Sequence, residues 1–122
     1  MKFQATAFAR QNAFTGYGEG YVMVNGERHA RSLIVLVDRI LPWPVASTEA
    51  LAAAHFDELL ALKPEVVLLG TGARLRFPHP SITAALPAAG IGLEVMDVQA
   101  ACRTYNILVS EERVVAAALV LG

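Results

Sequence analysis

Residues 66–72 read VVLLGTG, and the chain continues as ARLRFPHP over 73–80 and as LEVMDVQAACRTYNILVSEERVVAAAL over 93–119. A short strand over 65–69 that enters the Gly70-Thr71-Gly72 turn explains the first block, because glycine tolerates the backbone angles of a sharp turn. A helix starts at Pro80, where proline's missing N–H leaves nothing unpaired. Pro87 keeps that helix short or bent, since it removes one hydrogen bond and crowds the preceding turn. Gly90 releases the chain into a strand over 92–96. Asp97 then suits the N-cap of a helix over 98–110. Its Val98, Ala101, Cys102, Tyr105, Leu108 and Val109 share one face, with Gln99, Arg103, Asn106 and Ser110 opposite. Residues 113–121 are too apolar to be anything but a central strand. Two successive strand–helix–strand units imply right-handed crossovers in an α/β sheet.

Upstream, the pattern is β-rich. Residues 21–24 and 27–37 flank Asn25-Gly26, a pair that favours the positive φ angles of a type I′ hairpin turn. Residues 32–40 (SLIVLVDRI) form one continuous β-branched run, as in a strand covered on both faces. Pro42 and Pro44 then halt the sheet. A helix is expected over 49–62, capped by Ser47 or Thr48, with Glu49 complementing its dipole and Ala52, Phe56, Leu59 and Leu60 as its apolar stripe.

The 122 residues fit one domain, 1–122, large enough to bury a core without a metal or disulfide. A composition 55% hydrophobic and 17% charged excludes disorder. Ten basic against eleven acidic residues provide no basic excess for nucleic acid. Cys102 is the one cysteine, so an intrachain disulfide is impossible, and a reducing compartment suits it. The opening MKFQATAFARQNAF lacks the apolar core of a secretory signal, and no apolar run is long enough to span a bilayer. The expectation is a cytoplasmic protein without membrane insertion.

Chemistry is sought first where strands leave an open α/β sheet. Gly70, Thr71 and Gly72 would aim backbone N–H groups outward, and Arg74 and Arg76 add charge beside them. An anion or acyl pocket is one reading, and a tight turn with solvated arginines is the other. The GTG spacing fits neither the dinucleotide fingerprint nor the P-loop. Glu94, near the end of a strand taken as buried, needs Arg or N–H partners. Cys102 on the apolar helix face reads as a buried, inert thiol. His29, His55 and His79 have no ligand spacing, and no serine has a nucleophile-elbow context. Neither a catalytic residue, a metal nor a cofactor is assigned.

The run GTG…R…FP, then Glu94-x-Met96, Arg103-Thr104-Tyr105-Asn106-x-Leu108 and Glu111-x-Arg113-Val114 with the following alanines resembles the Mth938-like family, also called domain of unknown function 498. The resemblance is strong over 66–119. It implies a central mixed sheet flanked by helices, with an additional β element from the N-terminal half. It also places Gly70, Thr71, Gly72, Glu94, Met96, Thr104, Tyr105 and Asn106 at the family's recurrent positions. With Arg74, Arg76 and Arg103 these form the candidate ligand-binding set. In the family a glycine commonly stands where this chain has Glu112, and the helix holding Pro87 is uninterrupted. Relatives tied to respiratory complex I assembly and to growth signalling imply a non-catalytic interaction or assembly module with an unidentified protein partner. Its surface is expected as Phe77, Pro78 and Trp43 beside Arg74 and Arg76. The alternative is a small-molecule binder or enzyme at the GTG turn. A third expectation is self-association through an edge strand of the β-rich N-terminal half.

Overall fold

The computed structural model describes residues 11–122, so the opening segment read above for a signal lies largely outside the described residues. Three strands, β1 (Phe14–Gly18), β2 (Tyr21–Val24) and β3 (Glu27–His29), form a small antiparallel sheet in that order. Asn25 and Gly26 both take positive φ, 52° and 81°, so the expected hairpin turn is present.

The chain then leaves this sheet and builds a second one. The single run expected over 32–40 is a hairpin, β4 (Leu33–Leu36) and β5 (Arg39–Pro42), because Val37-Asp38 folds the chain back and pairs Leu36 with Arg39. The remaining strands are β6 (Val66–Thr71), β7 (Gly92–Met96) and β8 (Val115–Val120). The order is β5-β4-β8-β6-β7, antiparallel from β5 to β8 and parallel from β8 to β7. β8 is central and wholly buried, as its composition requires.

Helical segments cover both faces. The helix expected over 49–62 is instead two 3-10 turns, Thr48–Ala50 and Ala53–Phe56, followed by α1 (Asp57–Leu62). Leu51 is extended between the turns (ψ 136°) and buries its side chain, and Ala52 is exposed. The next segment is broken into α2 (Pro80–Thr83) and α3 (Ala85–Ala88). Thr83 is the residue whose carbonyl Pro87 cannot bond. The long helix α4 (Val98–Ser110) begins where expected, with Asp97 Oδ1 accepting from the Ala100 N–H at 2.8 Å. Glu112, just beyond α4, takes φ 63°, the region that favours glycine.

Strand alternation divides the core in two. Val66, Leu68, Val115, Ala117 and Leu119 face α4 and the small sheet, where Phe14, Val22, Val24, Cys102 and Tyr105 are buried. Val67, Leu69, Ala116, Ala118 and Val120 face Trp43, Phe56, Leu59 and Leu86. The β6–β7 connection therefore lies on one face and the β7–β8 connection on the other. With β7 and β8 on opposite sides of β6, both connections have the same hand, as the right-handed rule requires.

Candidate functional site

In such a sheet the crevice for a ligand opens at the carboxyl ends of β6 and β7, whose connections leave toward opposite faces. The chain itself fills part of that crevice. Thr71, still inside β6 and buried, donates from its hydroxyl to the Arg74 carbonyl at 2.7 Å and accepts the Arg76 N–H at 2.9 Å. The Met96 carbonyl lies 3.3 Å from the same oxygen. Gly72 turns the chain with φ 78°, and its carbonyl accepts the Val98 N–H at 2.9 Å. A hydroxyl with this many partners organises a loop and has little capacity left for a ligand.

Gly70 has a different task from the one its place in GTG suggests. It is a strand residue, and a Cβ there would stand 2.7 Å from Leu119 Cδ2 and 3.3 Å from both Ala101 Cβ and Val98 Cα. Its bareness lets α4 lie close on the sheet. Gly72 alone supplies the positive φ.

Beyond the Thr71 anchor, the loop carries its side chains outward. Leu75 is 50% and Phe77 73% exposed. Arg76 forms an ion pair with Glu49, and Arg74 is exposed. A cleft of about 410 Å³ beside them is lined by Ser47, Thr48, Glu49, Arg74 and Arg76. A smaller one of about 250 Å³ lies across Gly72, between Glu19 of the β1–β2 turn and Gln99 at the start of α4. Glu19 is the one charged residue lining the smaller cleft and opposes a small anion there, whereas in the larger one Glu49 offsets Arg76 and Arg74 is left over. Trp43, expected on this surface, is buried: its Nε1 donates to the His55 carbonyl at 2.9 Å and its ring meets Phe56 edge-on.

The remaining candidates fall elsewhere. Glu94 is exposed on β7, which is an edge strand, and not buried among arginines. Arg103, Tyr105 and Asn106 on α4 form a second cluster, directed at β1 and the residues before it, and Thr104 is half-buried on the same helix. The Asn106 amide accepts the Phe14 N–H at 2.9 Å and donates to the Phe14 carbonyl at 2.8 Å, as a neighbouring strand would. Tyr105 donates to the Asn12 carbonyl at 3.1 Å and packs edge-on against Phe14, and Arg103 donates to the Tyr17 hydroxyl at 3.3 Å. Burial raises the Tyr105 phenol well above its ordinary value. Burial also pushes the Cys102 thiol up to about 12, against a smaller opposing pull from Arg103, so no thiolate is available at neutral pH. His79 caps α2, its Nδ1 accepting from the Ser81 N–H at 3.1 Å.

Sequence reading missed Glu49 as the partner of Arg76, having assigned it to a helix dipole. It also missed the Asn106 clamp, whose partner lies 92 residues away and leaves no local signal.

The sequence pattern of a family described as "Protein of unknown function (DUF498/DUF598)" matches residues 14–120. The chain is 38% identical over 99 residues to NADH dehydrogenase [ubiquinone] 1 alpha subcomplex assembly factor 3 of Danio rerio, covering 80% of this chain and 57% of that protein. It therefore spans little more than half of that relative. It is 31% identical over 114 residues to a 13 kDa major membrane protein of Francisella tularensis subsp. holarctica, covering 92% of this chain and 89% of the other. A solution structure of a Mth938-like domain from Bordetella pertussis superimposes with a TM-score of 0.80 at 33% identity, over 95% of this chain and 87% of that one.

Proposed function

This chain belongs to the DUF498/DUF598, Mth938-like family, and from that premise we propose that it is a non-catalytic interaction module assisting assembly of a multisubunit respiratory complex. One observation carries the reading. The loop after β6 is fixed at its base by Thr71, yet it holds Leu75 and Phe77 in solvent, alternating along the chain with Arg74 and Arg76. Large apolar side chains on a rigid base, with arginine beside them, have the composition of an interface centre. The groups a reaction would need are otherwise engaged: Thr71 in loop closure, Arg76 on Glu49, and Cys102 as a buried thiol. The similarity to an assembly factor supports a protein client. A client complex resident in a membrane accommodates the name of the Francisella relative too. Among the described residues no helix is long and apolar enough to cross a membrane.

The test is capture of protein partners from native lysate by tagged wild type and by a Leu75→Ser/Phe77→Ser variant. Both side chains are exposed, so the variant should melt like the wild type. Loss of a specific partner from the folded variant is the expected outcome. Identical protein sets with both baits, or a small molecule retained by the wild type in native mass spectrometry, would overturn the proposal.

A further inference from the structure

Open strand edges invite pairing, and proteins blunt them. Among the described residues, three of the four sheet edges are blunted by recognisable means. β1 carries a bulge between Phe14 and Gly16, and Asn106 occupies both backbone groups of Phe14. β3 is three residues long and wholly polar, Glu27-Arg28-His29. β5 begins with Arg39 and ends in Pro42, which has no N–H to offer. Among the described residues, the edges of the N-terminal half are therefore poorly suited to the self-pairing expected there.

β7 is different. It is five residues long and pairs only with β6, parallel, with Gly92 opposite Val66 through Met96 opposite Gly70. The Gly92 N–H donates to the Glu65 carbonyl at 3.0 Å, so Gly92, Glu94 and Met96 direct their backbone groups toward β6. By alternation the N–H and C=O of Leu93 and Val95 point outward, and no described hydrogen bond from another element satisfies them. Leu93 and Val95 side chains are half-buried on the Trp43 face of the sheet, and Glu94 is exposed on the other face.

Glu94 is the central residue of this edge. Antiparallel pairing of two β7 strands in the full-length register sets Leu93 against Val95 in hydrogen-bonded pairs. It leaves Glu94 facing Glu94 in the close, non-hydrogen-bonded position, about 4.5 Å between Cα atoms. Like charges directly opposite destabilise such a pair. A basic residue at the same position meets the carboxylate instead, and apolar neighbours cover Leu93 and Val95.

We propose that the outer edge of β7 is a strand-addition site, closed to a second copy of this chain by Glu94 and open to a partner's extended segment of apolar–basic–apolar pattern. The inference deepens the interaction reading and shares its premise that the chain docks another polypeptide. Main-chain bonds would supply affinity, and the charge opposite Glu94 would supply selectivity.

The probe is this chain's own β7 carrying a lysine. Wild type and Glu94→Lys should each sediment as monomers, and their equimolar mixture should sediment at twice the monomer mass. Amide exchange at Leu93 and Val95 of isotope-labelled wild type should slow on mixing, and that at Glu94 should not change. Val95→Pro removes an outward N–H with no partner in the monomer, so it should fold and abolish the mixed dimer. A mixture that stays monomeric up to millimolar concentration would overturn the proposal. So would a mixed dimer that leaves both outward amides unprotected, or equal self-association of the two parents. Because these experiments use purified protein alone, a negative result leaves partner capture through Leu75 and Phe77 standing.

Discussion

Two glycines separated by one residue do opposite work. At Gly72 an added methyl would meet nothing nearer than the Val120 carbonyl at 3.8 Å, so only its φ of 78° resists substitution. At Gly70 the backbone is ordinary strand and the space is filled by Leu119, Ala101 and Val98. Gly70→Ala should therefore cost about 1–3 kcal/mol by overpacking, measured as a lower midpoint in urea. An unchanged midpoint would mean that α4 does not depend on close approach to β6. The sequence could not separate the two roles. A GTG tripeptide advertises a turn, whereas contact with Leu119 depends on a strand nearly fifty positions later. Glu94 was misplaced for a similar reason: an alternating L-E-V-M run does not say whether its strand is interior or at an edge.

At the scale of elements, local chemistry was legible wherever it was decisive. Asp97 capping α4, the Asn25-Gly26 turn and the break imposed by Pro87 all follow from neighbouring residues. Asp97→Ala removes the 2.8 Å bond to the Ala100 N–H and should lower stability by about 1 kcal/mol. Asp97→Asn should restore most of it; equal losses in both variants would point to charge and not to capping. The segment from Thr48 to Leu62 was misread because its helical period is real only from Asp57 onward. Before that, burial of Leu51 overrides the local preference and splits the chain into 3-10 turns. The clamp of Asn106 on β1 joins two elements that no pattern in either one relates.

The molecule as a whole is two sheets sharing α4, and the larger one is tied at its lower end by Glu65. The Val114 N–H bond, at 2.8 Å, is the main cause that lowers the Glu65 carboxyl below its ordinary value, with Arg113 adding to it at 3.2 Å. A lowered folded-state pKa stabilises above the unfolded value, and that contribution disappears as pH falls through the folded one. Glu65→Gln should thus flatten the dependence of melting temperature on pH below about 4.5. An acid limb as steep as that of the wild type would assign it to other carboxylates. The mixed sheet and its extra β element were legible from the two strand–helix–strand units and the family resemblance, but the position of β8 has a consequence for how the chain is made. Val115–Val120 is the last of the described strands to be synthesised, and it is the one that joins β4 to β6. Until it leaves the ribosome, the β4–β5 hairpin and the β6–β7 pair have no common partner, and Val35 and Leu68 lack Ala117, which β8 sets beside both. The large sheet can therefore close only after these six residues have emerged, and a nascent chain stalled before Val115 would leave the edges of β4 and β6 exposed.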